Sequence, residues 1–269
     1  MRAALTSEYR KIVTTRMWWV LLICFGLFAA FMAAIMAFSL HAAPTGGSGS
    51  DMSALPLTDK LIASTVYSLA TSLGYAFPLL VGTLLVTNEF RYQTITPTLL
   101  AEASRTRVLV AKLGAAFAVG LIFGVVGTLA TVLPGAGAIA IAGADPMLSD
   151  PTILRGVGLS VIALAVWTVV GVGFGTALPN QIAAIVVVLG FTQLVEPVLR
   201  IGLAAWEPTA GIAQYFPGAA GDAITGGSLY NLLGTSDMLE WWQGLILLLG
   251  YAAALAALGR FTTFRRDIT

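Results

Sequence analysis

Long runs without a charged residue set the pattern of this chain, and polar segments separate them. A helix needs about 20 apolar residues, each rising about 1.5 Å, to cross a hydrocarbon core about 30 Å thick. The pattern therefore predicts an all-α integral membrane protein, with a single transmembrane domain over residues 1–269. We expect six transmembrane helices, at about residues 17–40, 61–87, 110–133, 155–178, 181–205 and 241–259.

Prolines decide where two of these spans end. Pro134 is expected to end or kink the third helix, because it has no backbone N–H to donate. Residues 156–195 contain no charge but are too long for one helix, so we expect a tight turn at residues 178–181. Residues 181–195 would measure only about 22 Å. The fifth span must therefore continue past Pro197 or be followed by a further element in the membrane.

The stretch before the first span has the periodicity of a helix. Its apolar residues recur at helical spacing and its polar residues take the other face, which is typical of a helix in the headgroup plane. We therefore expect an N-terminal interfacial elbow helix at about residues 3–16, with an ordinary basic tail as the alternative. The apolar face holds Leu5, Tyr9, Ile12 and Val13, and the polar face holds Glu8, Arg10, Lys11, Thr14 and Thr15.

The chain carries few charges, and their location is informative. Charged residues make up 10% of the sequence, against roughly 25% in a soluble globular domain. The net charge of +1 gives no dense basic patch, which argues against a nucleic-acid partner. Eleven of the fourteen Lys and Arg fall on the face that holds both termini, so the positive-inside rule places the termini in the cytoplasm. Residues 17–40 could instead be a signal peptide, but they exceed the usual h-region of about 7–15 residues.

Residues 196–240 join the last two spans on the expected outer side, and their composition is not that of a solvated loop. Apolar residues alternate with prolines and glycines, which favours re-entrant helices between spans five and six. Glu196 and Arg200 stand four residues apart and can pair across one helical turn. Isolated charges in the membrane cost about 2.5–3.5 kcal/mol each, so we expect the two residues to pair. We interpret them as a structural pair, with a proton relay as the less favoured alternative.

Many enzyme and metal sites are excluded by missing residues. One histidine and one cysteine cannot form a zinc site or a Cys–His pair within the chain. None of the three lysines lies in a phosphate-binding GxxxxGK[ST] loop. We therefore predict no catalytic residue and no metal ligand. Two GxxxG pairs, Gly120 with Gly124 and Gly171 with Gly175, indicate closely packed helices.

The cytoplasmic loop at residues 88–105 is the most polar part of the chain, yet it keeps apolar residues as a helix would. These are Phe90, Ile95, Leu99 and Leu100. A short helix that docks on another protein has this pattern, and so does a helix on the membrane surface.

The same loop resembles a known family. The order Glu89-Phe90-Arg91, Thr94-Ile95-Thr96, Leu99-Leu100, Arg105 and Lys112 resembles the signature of ABC-2 type permeases, the membrane subunits of ABC exporters. The opening Ser7-Glu8-Tyr9-Arg10-Lys11, Thr15-Arg16 and Trp18-Trp19 is similar to actinobacterial members. Six expected spans and an elbow helix agree with the family, so the resemblance covers nearly the whole chain. The chain departs from the family at Gln93, where glycine is usual, and at Ala103-Ser104, where proline is frequent.

The resemblance implies that the loop forms a cytoplasmic coupling helix, which docks on a separately encoded ATP-hydrolysing subunit. The residues implied to contact that subunit or to couple its motion are Glu89, Phe90, Arg91, Thr94, Ile95, Leu99 and Arg105. It also implies a homodimer of permeases with two copies of the ABC ATPase in the bacterial cytoplasmic membrane. ATP and Mg²⁺ would lie on the partner, and this chain would bind no cofactor. The residues implied to line the substrate pathway are Thr71, Tyr75, Phe77, Phe191 and Gln193.

The implied function is export of a hydrophobic or amphipathic substrate, such as a drug, lipid or peptide. The alternative is a secondary transporter or channel driven by an ion gradient, which would need an ionisable residue near the middle of the membrane. An intramembrane enzyme is a third class, disfavoured because the sequence offers no nucleophile–base pair.

Overall fold

A computed structural model describes residues 2–42, 58–101, 104–232 and 238–263, and all secondary structure within those ranges is helical. A π-helical segment, Phe191–Val195, lies between α9 and α10. The helices in chain order are α1 (Arg2–Thr14), α2 (Met17–Ala42), α3 (Asp59–Tyr67), α4 (Leu69–Ser72), α5 (Ala76–Arg91), α6 (Ile95–Ala101), α7 (Arg105–Ile141), α8 (Pro151–Ala177), α9 (Gln181–Gly190), α10 (Glu196–Ala204), α11 (Glu207–Ala213), α12 (Pro217–Thr225), α13 (Leu229–Leu232) and α14 (Trp241–Thr262).

Five helical stretches among the described residues are long and apolar enough to cross a bilayer. They overlap five of the six predicted spans. The chain is thus a multi-pass membrane protein by the length and composition of its helices. The five stretches are Met17–His41, Arg105–Ile141, Pro151–Ala177, Gln181–Ala204 and Trp241–Thr262.

The predicted second span, residues 61–87, is not one continuous helix. It is divided among α3, α4 and α5, with interruptions at Ser68 and at residues 73–75. Pro78 lies in the first turn of α5 and cannot donate a hydrogen bond to the carbonyl of Gly74, which favours a helix start just before it. The expectation of an unbroken helix was wrong here because it counted only apolar length.

Pro134 does not end α7, as the sequence had suggested it could. The helix runs for 37 residues to Ile141, a length of about 55 Å. Beyond the proline, Ala138 and Ile139 are buried in a cluster with residues of α2 and α3. Tertiary packing therefore compensates for the one missing N–H, and the predicted end at residue 133 is wrong.

The turn at residues 178–181 and the extension of the fifth span are confirmed. Asn180 caps α9 by accepting the N–H of Ala183 at 3.1 Å. From Gln181 the helix continues through the π-helical segment and α10 to Ala204, past Pro197. Pro197 has no N–H for the carbonyl four residues earlier, and the wider π-helical turn directly before it accommodates the proline ring.

Helix α8 lies at the centre, where it packs against α5, α7, α12 and α14. The largest fully buried side chain, Trp167, belongs to this helix. A Cβ atom on Gly120 or Gly124 of α7 would press on the α8 backbone, and one on Gly171 or Gly175 of α8 would press on the α5 backbone. The two GxxxG pairs therefore mark the α7–α8 and α5–α8 crossings.

Polar contacts gather at the two ends of this helical bundle. At one end, Arg260 near the end of α14 lies 3.5 Å from the hydroxyl oxygen of Thr106 at the start of α7. At the other end, Lys60 pairs with Asp150 at 2.9 Å, and the Arg155 guanidinium lies 4.8 Å from the centre of a Trp241 ring. Residues predicted to be cytoplasmic thus share one end of the bundle.

Candidate functional site

A largely buried ionic network joins α1, α5 and α7 at the end of the bundle that carries α6, and one hydrogen bond attaches α6 to it. Lys112 of α7 is 1% exposed and contacts the carboxylates of Glu8 in α1 and Glu89 in α5, at 2.9 and 2.6 Å. Lys11 of α1 contacts the same two carboxylates at 2.9 and 2.7 Å and donates to the Thr98 hydroxyl of α6 at 3.1 Å. The two lysines and two glutamates balance in charge. We call Glu8, Lys11, Glu89 and Lys112 the ionic network.

Helix α1 presents this network because Glu8 and Lys11 stand three residues apart on one face. Ile12 is buried beside them, at 5% exposure. Glu8, which the sequence placed on the polar face of this helix, is itself buried. The predicted apolar residues Leu5, Tyr9 and Val13 are exposed, on a side of α1 that turns away from the protein.

The charge state of Lys11 follows from its partners. Burial lowers the pKa of the Lys11 ammonium, but its hydrogen bonds to Glu89 and Glu8 outweigh that effect and raise the pKa above its usual value. Lys11 therefore stays protonated at neutral pH. With Lys112, it supplies the positive charge that the two buried carboxylates need.

Helix α6 follows directly from this network. The backbone N–H of Thr94 donates to the Glu89 carbonyl at 2.9 Å, and Gln93 between them has a φ of 55°. That left-handed conformation favours glycine, the residue usual at this position in the family that the chain resembles. Thr94 is exposed, whereas Ile95 is 1% exposed and fixes the start of α6 against the bundle.

The residues predicted to seat against a partner do not all face outward. Phe90 is half-buried and packs with Leu109 in the core cluster at this end, and Ile95 is fully buried. Ile95 therefore presents no surface to a partner, whereas Phe90 is partly accessible. Among the side chains that the structure describes near α6, the large exposed apolar ones are Leu100, 82% exposed, and Tyr92, 66% exposed.

The remaining predicted coupling residues occupy different environments. Arg91 is exposed and donates to the Gln181 side chain at 2.9 Å, and Gln181 in turn donates to Asn88 at 3.0 Å. This chain of contacts joins the end of α5 to the start of α9. Arg105 is the half-buried first residue of α7. Leu99 lies within α6, but its side chain is outside the part that the structure describes.

A second group of charges is buried among α10, α12 and their neighbours. Arg200 of α10 pairs with Asp222 of α12 at 2.9 Å, and the hydroxyls of Ser72 and Ser228 each donate to Asp222 at 2.6 Å. The expected partner of Arg200, Glu196, is not the one that its guanidinium binds. We call Glu196, Arg200 and Asp222 the buried charged cluster; none is more than 5% exposed.

Glu196 binds the start of α12 instead of pairing with Arg200. Its Oε1 atom accepts the backbone N–H of Gly218 at 2.5 Å, and its Oε2 atom has no partner among the described residues. A Cβ atom at Gly218 would overlap this carboxylate, so the contact needs glycine there. Glu196 and Arg200 therefore do not pair with each other, and each joins α10 to a different point of α12.

Sequence reasoning missed Asp222, which lies within the segment 196–240 expected on the outer side. Asp222 is 1% exposed. One signal could have found it: Asp222 is the sole charged residue of the stretch 217–226, which is otherwise small and apolar. Such a stretch is suited to burial, and a carboxylate within it then requires hydrogen-bond donors.

The predicted pathway residues do not converge on one cavity. Thr71 and Tyr75 are buried; the Tyr75 ring stacks on Trp167 with centroids 4.3 Å apart, and its hydroxyl donates to the Thr192 carbonyl at 3.0 Å. Phe77 packs against Phe25 and Phe28, Phe191 is half-buried, and Gln193 is exposed. None lines the cavity of about 490 Å³ at the opposite end of the bundle, whose walls include Lys60, Arg155 and Trp241.

Comparison with known proteins adds no identification: neither a protein-family model nor a curated protein matches this chain. The similarity to ABC-2 type permeases rests on the residues quoted above.

Proposed function

We propose that this chain is the permease subunit of an ATP-driven ABC exporter, in which a separate subunit binds and hydrolyses ATP with Mg²⁺. The observation that carries the proposal is the ionic network. It joins α1, α5 and α7 through ion pairs, and the hydrogen bond from Lys11 to the Thr98 hydroxyl attaches α6 to it. Removing one partner of a buried ion pair costs about 3–5 kcal/mol. A force applied to α6 would therefore move the ends of α5 and α7 with it.

The proposed arrangement has six membrane crossings, with α3, α4 and α5 together forming the second. Leu5, Tyr9 and Val13, which the protein leaves exposed, would contact lipid from an α1 that lies in the headgroup plane. Helices α11 and α12 would be re-entrant, since α12 is buried against α8 and α14. Both termini would be cytoplasmic, in a homodimer that binds two ATPase copies in a bacterial cytoplasmic membrane. A hydrophobic or amphipathic substrate suits a chain so poor in charge.

The docking surface can be tested at Leu100. A photo-crosslinking amino acid at this position should form an adduct with a nucleotide-binding subunit in the native membrane, because Leu100 is an apolar side chain of α6 that is 82% exposed. The matched control is Ile141, 78% exposed at the far end of α7, which should form no such adduct. The proposal would be contradicted if no adduct with a nucleotide-binding subunit formed at Leu100, or if the adduct were equally strong at Leu100 and Ile141.

The buried charged cluster favours a second candidate, a transporter driven by an ion gradient. Ionisable residues within membrane segments often lie on ion pathways. This candidate predicts transport in vesicles that continues without ATP and stops when the proton gradient is dissipated. The first candidate, the ABC exporter, predicts transport that stops without ATP and continues when the proton gradient is dissipated.

A further inference from the structure

The buried charged cluster is unbalanced if every member is ionised. Two carboxylates, Glu196 and Asp222, share one guanidinium, that of Arg200, which would leave a net charge of −1. The Arg200 group is already engaged, since it pairs with Asp222 and lies 3.8 Å from the centre of the Tyr230 ring. An uncompensated charge in a low-dielectric interior is strongly unfavourable. One bound proton would make the cluster neutral.

Hydrogen bonds identify the carboxylate that is ionised. Asp222 accepts three donors: Ser72 at Oδ1, and both Arg200 and Ser228 at Oδ2. A carboxylate that only accepts is the ionised form. The single positive charge of the cluster, on Arg200, is thus neutralised by the Asp222 carboxylate.

Glu196 differs in the two oxygens of its carboxyl group. Oε1 accepts the Gly218 N–H, as the carbonyl oxygen of a neutral acid can, whereas Oε2 is buried without a partner among the described residues. A protonated carboxyl carries its hydrogen on one oxygen and accepts on the other. The environment of Oε2 suits the oxygen that carries the proton.

We infer that Glu196 is a proton-binding site, occupied by an exchangeable proton on Oε2 while α12 is seated against α10. The backbone N–H groups of Gly218 and Ala219 at the start of α12 and the nearby guanidinium favour release of this proton, and burial and the Asp222 charge oppose it. The ionisable groups that face Glu196 from the surrounding elements are Arg200 of α10, Asp222 of α12, Tyr230 of α13, Tyr251 of α14, and Tyr75 directly before α5. None of these residues except Arg200 is a cation.

The consequence is a proton-dependent contact between two helices. Losing the proton would create a buried anion at the start of α12. Either water would then have to enter and solvate this anion, or α12 would have to move away from it. The seating of α12 would then weaken as the pH rises. This site operates in the chain itself and does not depend on an ATPase partner.

Infrared spectroscopy of the full chain in lipid nanodiscs tests the inference. The C=O stretch of a buried carboxylic acid should be present at neutral pH, disappear on alkaline titration, and be absent from Glu196→Gln at every pH. The Glu196→Gln variant should keep the thermal stability of the wild type at neutral pH, because the amide replaces a neutral acid of the same shape.

Two control variants make the assignment specific. Glu240→Gln changes an exposed carboxyl and should leave the band intact. Ser72→Ala removes one donor to Asp222 and should also leave it intact. A wild-type spectrum without the band, or a band that survives Glu196→Gln, would overturn the inference.

Discussion

Replacing Lys112 with methionine is expected to lower the free energy of unfolding by about 3–5 kcal/mol, the usual effect of removing one partner from a buried ion pair. Lys112 is 1% exposed and contacts both Glu8 and Glu89. Without it, two buried carboxylates would share the single charge of Lys11. Thermal unfolding in detergent, followed by tryptophan fluorescence, measures the loss.

A double variant separates charge from packing. Lys112→Met combined with Glu8→Gln removes one charge of each sign and leaves Lys11 paired with Glu89. We expect the double variant to recover most of the lost stability, because a buried ion pair can be replaced by neutral residues with little net cost. Lys60→Met at the other end removes an exposed pair and should change little. Equal losses in the single and double variants would refute the charge-balance explanation.

Replacing Gly171 with valine is expected to separate α5 from α8 and to lower the stability by about 3 kcal/mol or more, the upper part of the range for overpacking. A Cβ atom at Gly171 would overlap the Leu79 carbonyl oxygen and lie 3.0 Å from the Gly82 Cα atom. These neighbours are backbone atoms of α5 and cannot turn aside. The variant should unfold at a lower temperature and accumulate poorly in the membrane.

Gly158 provides the matched control on the same helix. A Cβ atom there would meet no atom within 4 Å, so Gly158→Val should leave the stability nearly unchanged. If both valine variants are destabilised to the same extent, helix propensity and not the close approach of α5 and α8 determines the effect. If neither variant is destabilised, the close crossing is not required for folding.

The sequence predicted the long helices well because apolar length is a local property. The tight turn at residues 178–181 was predictable for the same reason, since Asn180 caps the next helix from within one turn. The proline positions were harder to interpret. Pro78 directly follows an interrupted stretch, whereas α7 continues past Pro134, and the difference lies in tertiary packing that a single stretch of sequence does not reveal.

The charged sites depended on contacts between distant parts of the chain. Lys112 lies 104 residues from Glu8, and Ser72 lies 150 residues from Asp222. The resemblance drew attention to Glu89 and Lys112, but only the fold shows that they meet. The burial of Asp222 could not be predicted in the same way, because it follows from the packing of α12 against α8 and α14.

The central claim is that an ATP-hydrolysing subunit drives this chain, and purification from its native membrane tests it most directly. The tagged chain, crosslinked before gentle extraction, should elute with a nucleotide-binding subunit in equal number and with ATP hydrolysis that vanadate inhibits. A folded chain that elutes without any ATP-hydrolysing subunit, and whose transport in vesicles follows the proton gradient alone, would contradict the account.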